Sequence, residues 1–329
     1  MVQLFRINDP FRILAVFALL LLVRLPLIFD GLPMTTPELN WLLLGEQLAA
    51  GKSMYTDIWD FTGPFSTGVY WLLHELFGKT RTPFFTLSVL LVTFQAMLFN
   101  RYLIRLNIYK EKTYLPALLY VVGMSISFDF FTLTPVLMAL TFLLLMLQNI
   151  FRLDEQAIDQ AVFRTGVYLG IAVLFYLPSL LFLLLALPGL ALFRTSSVRY
   201  LLMLVYGFAF VLSLWMLYLY IDNGLEEFYR QYLGSYFAGN YQRYISGRGL
   251  LLLFAVPAAV LLMTIVRVRS ERGFINFQVS CQQIMVIWLV VSVATLFFNH
   301  RIAPFQLQIF VPAICFFGAH FLLLLRKRL

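Results

Sequence analysis

The sequence predicts an all-α polytopic membrane protein of about ten transmembrane helices, and three observations carry the prediction. Of 329 residues, 61% are hydrophobic and 12% charged, with a mean hydropathy of +0.86. That lies outside the soluble globular range. Apolar runs recur along the whole length and are continuous rather than alternating. In lipid the backbone must satisfy its own hydrogen bonds, so such runs read as helices and not as barrel strands. Third, of the 24 Lys and Arg, sixteen fall on one side of the threading below and eight on the other. This bias puts both termini, residues 1–12 and 326–329, in the cytoplasm. The chain reads as a single transmembrane domain, 1–329, without internal repeat, heptads or low-complexity tract. The net charge of +8 reflects this distribution and gives no sign of nucleic-acid binding. Cys281 and Cys315 lie inside apolar runs, which argues against a disulfide framework or a structural zinc site.

Span one covers about 13–29. No small-residue cleavage site follows MVQLFRINDPFR, so this segment is expected to stay as the first span. Arg24, towards its far end, has two readings: it snorkels to the interface, or it points into a cavity and binds an anion. The first external loop, 30–82, holds six of the sixteen acidic residues within 30–80. Thr36-Pro37 reads as the opening of a helix with Glu38 in its first turn, where the dipole favours a carboxylate. That helix ends near Gly51, places Glu38 and Glu46 on one face, and carries Trp41, Leu42, Leu43 and Leu48 as an apolar surface against the membrane. Pro64 opens a second helix that runs to Phe77 and stops at Gly78. At about fourteen residues it is too short to span. The loop is therefore expected to hold two juxtamembrane helices. Span two (83–100) then leads into the basic loop Arg101, Arg105, Lys110, Lys112 on the inside, an assignment that inverts if 64–77 crosses the bilayer.

Spans three (115–127) and four (134–150) flank an external turn in which Asp129 is the only charge between Lys112 and Arg152. Either it faces a polar cavity or it is an interfacial turn residue. A polar connection (151–165) precedes two short apolar helices, 166–176 and 178–193, broken at Leu177-Pro178-Ser179. These form a re-entrant pair or two thin spans. Span seven (201–221) opens the external loop 222–249, where Tyr229, Tyr232, Tyr236, Tyr241 and Tyr244 alternate with Arg230, Arg243 and Arg248. The tyrosines are an interfacial belt on one reading and a ligand groove on the other. Span eight (250–266), a basic turn and span nine (284–298) lead to the external turn Asn299-His300-Arg301, and span ten (305–325) closes the chain.

One stretch carries a resemblance. An acid opening a juxtamembrane helix (Glu38), a Gly turn (Gly51), the run Tyr55-x-Asp57-x-Trp59-Asp60, Pro64 opening the next helix and Leu76-Phe77-Gly78 closing it resemble the first external loop of the GT-C glycosyltransferases. The nearest type is that of the protein mannosyltransferases and aminoarabinose transferases, which use polyprenyl-phosphate sugars. The likeness is clear over 24–80, extends to about 150, and departs at Pro37-Glu38, where relatives commonly have Asp-Glu. It implies a GT-C-like fold and sugar transfer from a polyprenyl-phosphate donor to a glycan, lipid or protein acceptor on the external face.

Such transfer needs a carboxylate base near the acceptor and cations for the leaving phosphate. Glu38 is the first candidate base, Asp60 or Asp57 the next, and Asp129 would position the acceptor or the base. The candidate substrate-binding residues are Arg24, Tyr55, Trp59, Arg243, Arg248, His300 and Arg301. No metal ligand set is expected, since three histidines are too few and too scattered for zinc. A divalent cation on Asp57, Asp60 and Asp129 is the one cofactor that oxygen chemistry allows. Two other classes stand beside the enzyme: a non-catalytic GT-C-fold subunit acting as an assembly platform for a membrane protein partner, and, less favoured, a transporter. The expected location is a bacterial inner membrane.

Overall fold

Proline sets the start of most helices in the first half of the chain. Pro37, Pro64, Pro83, Pro116 and Pro135 each sit in the first two helical positions, where a missing N–H leaves no bond unmade. A computed structural model describes residues 11–29, 34–58, 60–109, 111–153, 158–193, 197–234, 236, 242–243, 246–249, 255, 258–259, 262, 275–298 and 301–325. Its helices are α1 (Arg12–Phe29), α2 (Thr36–Ala49), α3 (Pro64–Phe77), α4 (Thr82–Arg105), α5 (Leu115–Gly123), α6 (Pro135–Phe151) and α7 (Ile158–Phe175). A 3-10 turn, Leu177–Phe182, leads into α8 (Leu183–Leu192), followed by α9 (Val198–Ile221) and α10 (Asn276–Phe298). A second 3-10 segment, Pro304–Phe310, runs into α11 (Val311–Leu325).

The protein is an all-α multi-pass membrane protein. Five segments are long and apolar enough to cross a bilayer: α4, α7, α9, α10 and the run Pro304–Leu323. Pro135–Phe151 and Leu177–Leu192 are apolar but shorter. Apart from a bridge between Met54 and Ile58, strand pairing among the described residues is confined to β1 (Gln242–Arg243) lying parallel to β2 (Arg301–Ile302). Three expectations change. Span three, expected over 115–127, is the nine-residue helix α5, shorter than a crossing needs. The helix expected over 166–176 begins at Ile158, taking in part of the polar connection, and reaches a full crossing length; only its partner after Tyr176 is short. Span nine starts at Asn276 rather than Ile284. Span eight lies almost wholly outside the described residues.

Small residues and buried amides hold the bundle together, as helix contacts in lipid require. A Cβ on Gly166 would lie 2.2 Å from the Leu204 carbonyl oxygen, and one on Gly207 would lie 2.4 Å from that of Phe163. Glycine therefore lets α7 and α9 touch backbone to backbone. Gln95 of α4 donates to the Leu137 carbonyl and to Thr141, and accepts from the Tyr120 hydroxyl, which links α4, α5 and α6. Trp288 of α10 donates to the Ile309 carbonyl at 2.8 Å.

The connections sort onto two ends of the bundle. At one end Gln278, near the start of α10, donates to the Asn107 carbonyl after α4. There too Arg199 pairs with Asp159. At the other end the α2–α3 loop, the turn before α6, the α7 break, the segment after α9 and the turn before α11 meet. The sequence expects four of these connections on one face, leaving the α7 break open, and all five contribute to one cavity.

Candidate functional site

The two halves of the first loop are fixed to the bundle by different means. Glu38 and Glu46 share a face of α2, as their spacing requires, and both reach the short α3–α4 turn. Glu46 pairs with Lys79 at 2.6 Å in the open, and this bond lowers its pKa. Glu38 is 2% exposed and takes a two-pronged bond from Arg81, Nε to Oε1 at 2.7 Å and a terminal nitrogen to Oε2 at 3.0 Å. The pair bolts the first turn of α2 to the N-cap of α4. Each Glu38 oxygen accepts a bond from Arg81, and the first candidate base is not among the residues that line the cavity at Asp60.

The face of α2 that was expected to meet lipid is covered instead. Trp41, Leu42 and Leu44 are buried, and Trp41 stacks on Tyr70 of α3 at 5.8 Å. The Tyr70 hydroxyl donates to the Leu133 carbonyl at 2.8 Å, seating α3 beside the start of α6. The exposed apolar face belongs to α3, through Trp71, Leu72, Leu76 and Phe77. This is the stripe a helix lying along a bilayer would offer.

Asp60 sits where the loop turns into α3. Its Oδ1 accepts from the Thr62 backbone N–H at 2.7 Å and from the Thr62 hydroxyl at 2.6 Å, a local turn of the kind Asp favours. Next, Gly63 presses on the end of α7, where a Cβ would lie 2.4 Å from the Phe175 carbonyl oxygen. Ser66 donates to that same oxygen at 2.9 Å. Asp60 is thereby held at a cavity of about 110 Å³, and its Oδ2 accepts no bond from any described residue. Thr36, Pro37, Asn40 and Trp41 of α2 form one wall and Phe61 to Gly63 another. Pro135, Tyr176, Tyr236, Ala303, Phe305 and Gln306 complete it. Asp60 is the one charged group among these lining residues.

Other predicted residues lie elsewhere. Asp57 is exposed and its carboxylate accepts from the Ser53 N–H, closing a turn away from the cavity. Asp129, on the 3-10 turn Phe128–Phe130, is half-buried beside Thr35; burial raises its pKa, and the Thr35 and Ser127 hydroxyls act against that rise. It therefore approaches the start of α2 without lining the cavity. Asp57, Asp60 and Asp129 do not gather, and among the described residues no three His, Cys, Asp or Glu side chains could hold a metal.

Arg24 neither snorkels nor faces a cavity. It is fully buried, donating to Ser88 and to the carbonyls of Met124, Phe130 and Phe131, with its guanidinium over the Phe131 ring at 4.9 Å. It ties α1 to the α5–α6 turn, whose free carbonyls attract a cation. Tyr55 is also core rather than ligand surface. Held at φ +72, it donates to the Thr62 carbonyl and packs on Phe228 and Tyr232, and burial raises its pKa. Tyr232 and Tyr236 are buried against the first loop too, so at these two positions the tyrosine series is neither belt nor open groove; Tyr229 is exposed. Arg248 is exposed and does not line the cavity. Arg243 and Arg301 are described in their backbone, where Gln242 faces Arg301 and Arg243 faces Ile302, just before the cavity residue Ala303. Trp59, His300, Tyr241 and Tyr244 lie outside the described residues.

Sequence reasoning missed Arg81 and the cavity residues Asn40, Thr62, Tyr176 and Phe305. Arg81 had a signal: a cation at a helix start opposes the dipole and needs a carboxylate nearby. Comparison of the chain with family models, with curated proteins and with solved structures returned no match.

Proposed function

We propose that this protein is a GT-C-like membrane glycosyltransferase that moves a sugar from a polyprenyl-phosphate donor to an acceptor on the external face, with Asp60 as the base. The observation that supports this reading is the half-bonded carboxylate in the cavity. One oxygen is fixed by Thr62 and the other is open towards a space walled by aromatic rings and the Asn40 and Gln306 amides. A base must be held still and yet keep a lone pair for the incoming proton. Ring faces suit the C–H face of a sugar, and the amides suit its hydroxyls. The exposed stripe of α3 fits a helix resting on the outer leaflet, which would bring a lipid-borne donor to the cavity from the side. On this reading the chain makes ten crossings with N- and C-termini in the cytoplasm of a bacterial inner membrane, and Arg243 and Arg301 serve the donor phosphate.

The test is donor cleavage by the full chain in nanodiscs, with a panel of polyprenyl-phosphate hexoses and aminopentoses and release of polyprenyl phosphate as readout. Asp60→Asn should lower release by about 100-fold or more at unchanged Tm, whereas Asp57→Asn should leave it intact. Full release by the Asp60→Asn protein would end the assignment of the base.

A second reading, a non-catalytic platform of the same fold, is favoured by one observation. The acid that the family likeness puts forward, Glu38, is tied to Arg81, and Pro37 stands where relatives carry the other acid. Wild-type biological output with Asp60 and Asp129 both replaced by Asn would support the platform.

A further inference from the structure

We infer that the cavity beside Asp60 is an aromatic cage for an alkylammonium group, carried by the acceptor. The word acceptor rests on the transfer reading; the cation site itself does not. Five rings wall the cavity: Trp41, Phe61, Tyr176, Tyr236 and Phe305. Two pairs among them stand nearly at right angles, Trp41 to Phe305 at 80° and 5.2 Å, and Phe61 to Tyr236 at 85° and 6.0 Å. Ring faces carry the negative side of the aromatic quadrupole, so a lining this rich in rings suits a cation.

The charge pattern points the same way. Asp60 is the one charged group among the lining residues, and three cations of neighbouring elements are engaged elsewhere. Arg81 is on Glu38, Lys79 is on Glu46, and Arg24 is buried among carbonyls. An anion placed against these lining residues meets a carboxylate and ring faces and is disfavoured there. A neutral group gains contact alone. An ammonium gains the carboxylate and the rings together, with the Asn40 amide oxygen as an acceptor for an N–H group.

The experiment uses the full chain in phosphatidylglycerol nanodiscs without donor, with choline and ethanolamine as probes followed by titration calorimetry. The control is dimethylbutanol, the uncharged carbon isostere of choline. Choline should bind at least about tenfold more tightly than dimethylbutanol. Asp60→Asn should abolish the preference, Phe305→Leu should weaken choline by about tenfold, and Asp57→Asn should change nothing. Equal binding of choline and its isostere overturns the cage, as does choline binding that survives both Asp60→Asn and Phe305→Leu. Discs containing phosphatidylethanolamine separate two sources of the same chemistry: weakened choline binding there assigns the cage to a lipid head group, and unchanged binding to a soluble amine. Cation binding without donor turnover would remove the transfer reading and leave the cage. Asp60-dependent turnover without cation binding would do the reverse.

Discussion

The Glu38–Arg81 pair makes unequal predictions for its two partners. Glu38 is 2% exposed, while the Arg81 side chain keeps 23% of its surface in solvent. Arg81→Met leaves a carboxylate buried with no counter-charge, a situation that costs about 3–5 kcal/mol. Glu38→Gln leaves a guanidinium that can turn outward, and forfeits two charged hydrogen bonds for about 1.5–3 kcal/mol. The double variant Glu38→Gln/Arg81→Met buries no unpaired charge and should recover most of the loss. Thermal unfolding of the four proteins in one detergent should therefore rank Arg81→Met lowest, Glu38→Gln next, and the double variant near wild type. Donor cleavage should follow the same order, because the pair acts by holding α2 against the cavity. The reasoning fails if Glu38→Gln unfolds like wild type and yet abolishes cleavage while Arg81→Met cleaves normally, for Glu38 would then be doing chemistry.

Asp129 should leave a pH signature. Burial raises its folded pKa above the ordinary 3.8, so the native state prefers the protonated form and loses stability as pH climbs from the unfolded value through the folded one. Asp129→Asn should accordingly raise Tm at pH 7, with the gain vanishing as pH falls towards 3.8; a constant difference across pH would contradict this. At Gly63, alanine must push α3 off the end of α7 and should cost roughly 2–4 kcal/mol by chemical unfolding. Gly68→Ala, on the same helix with nothing within 4 Å of the new carbon, should instead stabilise by about 0.5–1 kcal/mol.

Local chemistry was legible and distant pairing was not. Pro37 and Pro64 with Gly51 and Gly78 bracket α2 and α3 in the sequence, because capping depends on neighbours in the chain. The apolar runs marked the helices long enough to cross a bilayer. Nothing local said that Glu38 would meet Arg81, that Arg24 would find the carbonyls of a turn over 100 residues later, or that Tyr55 would face inward at positive φ. The same side chains suit a site and an anchor alike, and only the tertiary partner decides between them. Asp60 stood second to Glu38 as candidate base, and its bonds to Thr62 are local ones that an Asp-x-Thr stretch offers.

The cavity rim also constrains the order of assembly. Thr134, the N-cap of α6, hands its hydroxyl proton to Gln308, and Phe305 closes against Trp41, so residues made early wait on residues made near the end of the chain. Ribosome-stalled chains arrested before residue 303 would lack the Ala303, Phe305 and Gln306 wall beside Asp60, and the chamber would close only when Pro304–Phe310 docks.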